Sequence, residues 1–93
     1  MERNQKVAMV TGANRGIGLE IVRQLAREGV LVVLTSRDEA KGQAARKRLG
    51  AEGLDVVYHQ LDVTDPASVQ RLRESLEVEY GRLDILVNNA GIL

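Results

Sequence analysis

The sequence contains no cysteine, and histidine occurs only once, as His59. The absence of cysteine excludes a disulfide scaffold, a thiol nucleophile and any zinc site built on thiolates. A metal site would have to consist almost wholly of carboxylates, so we predict none. No apolar run approaches the roughly 20 residues needed to span a bilayer, and the polar start of the chain does not resemble a signal peptide.

Charges of the two signs balance: Lys and Arg total 13, as do Asp and Glu, and the formal net charge is zero at pH 7. A general binder of nucleic acids or anionic membranes would carry net positive charge, so neither partner is expected. Hydrophobic residues make up 44% of the 93 residues, enough for one modest core. We expect a soluble, cytoplasmic chain that forms part of a single domain over residues 1–93.

Apolar runs alternate with helix-periodic stretches along the whole chain. The apolar runs predict strands at residues 6–11, 30–36, 54–61 and 83–89. Apolar positions three and four residues apart predict helices at residues 16–28, 38–52 and 66–80. In the first helix, one face is predicted to carry Ile17, Ile21, Val22, Leu25 and Ala26.

The expected helix boundaries agree with these ranges. Asp38 and Asp65 are the predicted N-caps of the second and third helices, and Pro66 occupies the first position of the third. Gly29 and Gly53 are the predicted stops of the first and second helices.

The order β-α-β-α-β-α-β with short connections predicts a parallel sheet with right-handed crossovers. We predict an α/β fold, a partial Rossmann-like doubly wound sheet with strands in the spatial order 3-2-1-4. The crevice outside the carboxyl ends of the first and fourth strands would then be the topological switch point, where such sheets bind ligands.

The first predicted strand runs into a glycine-rich segment, Thr11-Gly12-Ala13-Asn14-Arg15-Gly16-Ile17-Gly18, inside which a helix begins. Gly12 can adopt backbone angles closed to other residues and so turn the chain off the strand. Gly16 has no side chain to keep a pyrophosphate from the positive N-terminal end of the helix. Gly18 lets helix and strand approach closely. The context predicts nucleotide binding, although tight packing without a ligand also explains turns of this kind.

Three motifs together resemble the short-chain dehydrogenase/reductase family: Thr-Gly-x-x-x-Gly-x-Gly, Asp62-Val63, and Asn88-Asn89-Ala90-Gly91. The resemblance covers essentially all 93 residues, and residues 11–23, 34–45 and 59–62 are most similar to the carbonyl reductases of the family. It implies an oxidoreductase that reduces aldehyde, ketone or quinone carbonyls of small molecules by hydride transfer. The implied cofactor-binding residues are Gly12, Asn14, Arg15, Gly16, Ile17, Gly18, Arg37, Asp62, Val63, Asn89, Ala90 and Gly91.

The residues after the second strand indicate the cofactor. NAD-binding folds place an acid there for the ribose 2′-OH, whereas this chain has Thr35-Ser36-Arg37, and Asp38 is better placed as a helix cap. Arg37 would attract a 2′-phosphate, and Arg15 could approach it from the other side. The resemblance implies the same preference, so we predict NADP(H) over NAD(H). The alternative is that both arginines are ordinary solvated side chains.

The resemblance also assigns roles near the other strand ends. Asp62 would accept a hydrogen bond from the adenine amino group beside Val63, with a turn cap before Pro66 as the alternative. Asn89, with Ala90 and Gly91, would lie against the cofactor ribose, whereas Asn88 would tie the fourth strand to its neighbours.

The remaining polar residues receive structural interpretations. His59 is expected to be a packing or rim residue and not a catalyst. A basic cluster on the second helix is interpreted as a solvated face, with attraction of the cofactor phosphate as the alternative, and comprises Lys41, Arg46, Lys47 and Arg48.

No catalytic residue can be named. The resemblance implies a serine and a Tyr-x-x-x-Lys pair, but Tyr58 and Tyr80 are followed at that spacing by Asp62 and Asp84. We expect the chain to be the N-terminal piece of a longer reductase, inactive by itself and aggregation-prone or marginally folded. An unpaired sheet edge at residues 85–87 would allow self-association. Two other interpretations stay open: a non-catalytic NAD(P)-binding sensor module, and a doubly wound domain without a ligand.

Overall fold

A computed structural model describes residues 5–89 of the chain. Strands and helices alternate along these residues in the predicted order: β1 (Val7–Val10), α1 (Gly16–Arg27), β2 (Leu31–Ser36), α2 (Glu39–Ala51), β3 (Val56–Gln60), α3 (Pro66–Tyr80) and β4 (Ile85–Val87). Each strand is shorter than its predicted range by one to four residues, all of them at its ends. The type of every element is as predicted.

The strands form one four-stranded sheet in the order β3-β2-β1-β4. Every pairing is parallel, which confirms the predicted α/β doubly wound topology. All residues of β1 and β2 are buried. Their continuous apolar sequences follow from this position, because a central parallel strand is covered by helices on both faces.

α1 and α2 cover one face of the sheet, and α3 covers the other. Successive strand residues point to opposite faces, so β1 and β2 supply both cores. The first core contains Ala8, Val10, Val22, Ala26, Val32, Leu34, Ala45 and Leu49. The second contains Val7, Met9, Leu31, Val33 and Leu76, with Val69, Leu72 and Tyr80 packed against it. α3 therefore covers this face of the sheet with Val69, Leu72, Leu76 and Tyr80.

The helix ends also follow the sequence. The Asp38 carboxylate accepts a hydrogen bond from the Lys41 N–H at 3.0 Å and caps α2. The Asp65 carboxylate accepts one from the Ala67 N–H at 3.2 Å and caps α3, with Pro66 in the first position. α1, by contrast, begins after Arg15 with no side-chain hydrogen bond at its N-terminus.

The predicted apolar face of α1 needs a correction at Ile17. Its side chain is 75% exposed, whereas Val22 and Ala26 are buried. Gly18, Val22 and Ala26, spaced four residues apart, form the row that faces the sheet. Ile17 begins the neighbouring row, which continues with Ile21 and Leu25. Those two side chains are partly buried against the first core, whereas Ile17, in the first turn of α1, is exposed.

Two features were sought among the described residues. No helix within residues 5–89 combines the length and the apolar character needed to cross a membrane. Over the same residues, no group of His, Asp and Glu side chains is arranged to hold a metal ion.

Candidate functional site

The glycine-rich loop lies at the carboxyl edge of the sheet between β2 and β4. The Thr11 N–H donates to the Val87 carbonyl at 3.0 Å, and the Ala13 N–H donates to the Thr35 carbonyl at 3.0 Å. The buried Thr35 hydroxyl donates to the Val10 carbonyl at 3.1 Å. The loop is therefore fastened to both neighbours of β1, at the switch point where the topology predicts a ligand.

Two glycines of the loop have backbone angles that side chains disfavour. Gly12 has φ of 61° and Gly16 has φ of 62°. A Cβ built on Gly16 would have no atom within 4 Å, so open space lies beside the start of α1. Local packing therefore does not require glycine at this position, whereas the backbone conformation does.

At Gly18, packing and not backbone conformation requires glycine. A Cβ there would lie 2.7 Å from the Gly12 carbonyl oxygen and 2.7 Å from Nδ2 of Asn89. The sequence predicted close approach of helix and strand, and the structure shows close approach of the helix to the loop and to Asn89. Glycine at this position allows the first turn of α1 to pack closely against the glycine-rich loop that precedes it.

The N-terminus of α1 is suited to an anion. Its first intrahelical bond runs from the Leu19 N–H to the Arg15 carbonyl at 3.3 Å, and no side chain caps the N–H groups before it. At the starts of α2 and α3, by contrast, an aspartate carboxylate accepts a hydrogen bond from a main-chain N–H group of the first turn. The free N–H groups and the positive end of the dipole would favour a phosphate at α1.

A cleft of about 340 Å³ opens between the glycine loop, the start of α2 and the end of β3. Its lining residues are Gly12, Asn14, Arg15, Arg37, Asp38, Lys41, Leu61, Asp62, Val63 and Thr64. The structure thus brings together the predicted site residues from the glycine loop, the β2–α2 turn and the β3–α3 turn. Gly16, Ile17, Gly18 and Asn89 lie outside its lining, and Ala90 and Gly91 lie outside the described residues.

Three cations converge on this cleft: Arg15, Arg37 and Lys41. The sequence favours a solvated face for Lys41, with attraction of the cofactor phosphate as the alternative, and the structure places this residue at the cleft. Its main-chain N–H bonds the Asp38 cap, which puts it in the first turn of α2 beside Arg37. The signal that could have found it is its position three residues after a predicted N-cap that itself follows Arg37.

Asp62 forms a tight turn at the rim of the cleft. Its Oδ1 accepts the Thr64 N–H at 2.9 Å and the Thr64 hydroxyl at 2.6 Å. These two hydrogen bonds, with a smaller contribution from the charge of Arg37, lower the pKa of the Asp62 carboxyl. The side chain is therefore an ionised acceptor that shapes the turn, while Asp65 caps the helix.

Asn88 and Asn89 fasten the end of β4 to the glycine loop, as predicted for a pair that ties this strand to its neighbours. The Thr11 hydroxyl donates to Oδ1 of Asn88 at 3.1 Å, and Nδ2 of Asn89 donates to the Gly12 carbonyl at 3.2 Å. Both asparagines fix the loop that carries the glycines.

A larger groove of about 450 Å³ runs along the outer side of α1. It is lined by Ile17, Glu20, Ile21, Gln24, Leu25 and Glu28. Its carboxylates would repel a phosphate, whereas the smaller cleft offers cations. The cleft at the carboxyl edge of the sheet is therefore the better candidate for an anionic ligand.

The profile of the family described as short chain dehydrogenase matches residues 6–93. The chain belongs to this family. The (+)-neomenthol dehydrogenase of Arabidopsis thaliana is 56% identical over 95 residues, covering 98% of this chain and 32% of that protein. Carbonyl reductase (NADPH) 1 of Bos taurus is 57% identical over 93 residues, covering 99% of this chain and 34% of that protein. The chain spans about a third of the length of these curated relatives.

Solved structures of short-chain dehydrogenases match the fold as well. A menthone neomenthol reductase from Mentha piperita superposes with a TM-score of 0.86 at 53% identity, covering 96% of this chain and 32% of that one. An actinorhodin polyketide ketoreductase variant with NADPH superposes with a TM-score of 0.89 at 37% identity, covering 98% and 35%. The resemblance noted in the sequence and the doubly wound fold are thus confirmed.

Proposed function

We propose that this short-chain dehydrogenase is an NADP(H)-dependent oxidoreductase that reduces carbonyl groups of small molecules, and that residues 1–93 supply its cofactor-binding part. The names of the relatives support this reaction class, since they include a carbonyl reductase (NADPH) and a neomenthol dehydrogenase. We further propose that the protein acts in the cytoplasm. The substrate class is an aldehyde, ketone or quinone.

The observation that carries the proposal is the charge of the cleft at the β2–α2 turn. Arg15, Arg37 and Lys41 line it, and the carboxylates that accompany them are Asp38 and Asp62. Asp38 is bonded to the start of α2 and Asp62 to Thr64. The cations are thus left to receive the 2′-phosphate that distinguishes NADP(H) from NAD(H).

The residues present fit the rest of the cofactor. The uncapped N-terminus of α1 beside Gly16 would hold the diphosphate. Asp62, ionised at the rim, would accept the adenine amino group beside Val63. Asn89, with Ala90 and Gly91 beyond the described residues, would lie against a ribose of the cofactor. When bound, the cofactor supplies the hydride for carbonyl reduction.

We assign no catalytic residue within this chain. Neither Tyr58 nor Tyr80 has a lysine four residues later, so neither matches the family's proton-donor pair. The 93 residues alone are therefore expected to bind NADPH and to show no carbonyl reduction. An NADPH-oxidation assay with aldehydes, ketones and quinones checks this expectation.

The experiment for the cofactor replaces Arg37 with aspartate. Charge-assisted hydrogen bonds contribute about 1.5–3 kcal/mol, so Arg37→Asp is expected to weaken NADPH binding by about 10- to 100-fold. NADH affinity should change by less than about threefold, because NADH lacks the 2′-phosphate. Nucleotide fluorescence titration of the 93-residue chain measures both dissociation constants.

Arg71→Asp is the matched control, because Arg71 is an exposed arginine of α3, on the opposite face of the sheet from α2. It makes the same change in net charge and should leave both dissociation constants unchanged at 0.15 M salt, where the Debye length is about 8 Å. An NADPH-to-NADH affinity ratio that survives Arg37→Asp would refute the proposed preference.

A further inference from the structure

The turn that carries Arg37 is held from the neighbouring strand β3. The Tyr58 hydroxyl lies 3.1 Å from the Ser36 carbonyl oxygen, which also accepts the Leu61 N–H at 3.0 Å. One residue further along the turn, Nε2 of Gln60 donates to the Arg37 carbonyl at 3.1 Å. Consecutive carbonyls of the turn are thus bonded to side chains two residues apart on β3.

Counting protons fixes the direction of the inner bonds. The Ser36 hydroxyl lies 2.9 Å from the Asp38 carbonyl and 3.2 Å from the Tyr58 hydroxyl. The Asp38 carbonyl can only accept, so the Ser36 hydroxyl donates to it, and the single proton of the Tyr58 hydroxyl is donated to the Ser36 carbonyl. Ser36 is buried, so water would not fully replace the hydrogen bond that is lost when the Tyr58 hydroxyl is removed.

The Tyr58 ring is held in place by α2. A Cβ on Gly42 would overlap the Tyr58 ring and the Ser36 hydroxyl, so the helix packs directly on this pair through a position without a side chain. The Gly42 N–H donates to the Asp38 carbonyl at 3.0 Å. The turn is therefore enclosed between β3 and the first turns of α2.

We propose that Tyr58 and Gln60 are positioning residues for cofactor selection: they fix the main chain of residues 36–38 and so hold Arg37 at the 2′-phosphate position. The inference rests on the proposed NADP(H) preference. Neither side chain lines the cleft, so any effect on selection must pass through the turn. A turn free to shift would let the Arg37 guanidinium leave the phosphate at little cost, because the side chain is exposed.

The test is Tyr58→Phe in the 93-residue chain, with NADPH and NADH affinities measured side by side. The change removes one hydroxyl and keeps the ring. NADPH binding should weaken about threefold to tenfold and NADH binding less than about twofold, so the affinity ratio falls. Tyr80→Phe removes a hydroxyl on the opposite face of the sheet and should leave the ratio unchanged.

A double-mutant cycle separates positioning from a general loss of stability. In an Arg37→Ala background, Tyr58→Phe should change NADPH affinity by less than about twofold, because the group it positions is gone. Gln60→Ala is the second variant, since Gln60 is exposed and its replacement keeps the fold. It should lower the NADPH-to-NADH ratio about twofold, and circular dichroism confirms folding of each variant.

The outcomes distinguish the two proposals. If the unmodified chain prefers NADPH and neither Tyr58→Phe nor Gln60→Ala alters that preference, the positioning role is overturned and the proposed function stands. If the unmodified chain binds no nucleotide or shows no preference, the proposed function fails, and the role in selection fails with it.

Discussion

Asp84 joins two strands at the amino edge of the sheet, away from the cleft. Its Oδ2 accepts the Val7 N–H at 2.8 Å, and its two oxygens bond Arg82 at 2.7 and 2.8 Å. The hydrogen bonds from Arg82, followed by the one from Val7, lower the pKa of the Asp84 carboxyl. The pKa of Asp62 is lowered in the same direction at the opposite edge by Thr64. A depressed pKa here marks a structural turn or strand contact in both places.

Asp84→Asn is expected to lower the free energy of unfolding at pH 7 and to make that free energy less dependent on pH in the acid range. The carboxyl has a lower pKa folded than unfolded, so its stabilisation is complete above the unfolded value of about 4. That contribution is lost as pH falls through the folded pKa. Urea unfolding of both proteins between pH 2.5 and 7 should therefore show a free-energy difference that is largest at pH 7 and shrinks below about pH 4. A constant difference would contradict this role for Asp84.

Single residues differ in how far their roles could be predicted. Asp38 and Asp65 were predictable as helix caps because each acts within a few residues of its own position. Tyr58 was not, because its hydroxyl reaches a carbonyl 22 residues away, and only the β2–β3 register brings them together. For Lys41 the sequence left two alternatives open, because charge alone does not separate a solvated lysine from one beside a cleft.

α2 shows what fixes an element with a weak apolar pattern. Asp38 caps its start, and only Gly42, Ala45 and Leu49 are buried along it. Its range was predictable from the cap and from Gly53, because these signals are local. Its approach to β3 was not, since a glycine inside a helix is ordinarily just a weak helix former. Glycine is required at position 42 because a side chain there would overlap the Tyr58 ring of β3.

Two glycine-to-alanine changes in α2 should have opposite effects on stability. Gly50→Ala adds a Cβ with no atom within 4 Å and should stabilise the chain by about 0.5–1 kcal/mol, the usual helix-propensity gain. Gly42→Ala forces the Tyr58 ring and the Ser36 hydroxyl to move and should destabilise it by about 1–3 kcal/mol. Urea unfolding at pH 7 measures both. Equal stabilisation by the two changes would show that Gly42 is not packed against β3.

At the scale of the whole sheet, the two outer strands, β3 and β4, differ in length. The strand order was predictable because alternating elements with short connections allow few topologies. β3 pairs with β2 over five residues, whereas β4 is short and pairs with β1 alone among the described residues. Leu86 of β4 belongs to neither core and is 42% exposed. An apolar, unpaired edge of this kind is a site for association.

We predict that the isolated chain self-associates through this edge and that Leu86→Lys weakens the association by about tenfold or more, because a charge on an edge strand opposes strand addition. Val78→Lys is the matched control: Val78 is 87% exposed, but on α3 rather than at the edge. In sedimentation velocity over a concentration series, Leu86→Lys should sediment more slowly than the unmodified chain at equal concentration, whereas Val78→Lys should not. Equal loss of association in both variants would assign the effect to added charge, and no loss in either would place the contact elsewhere.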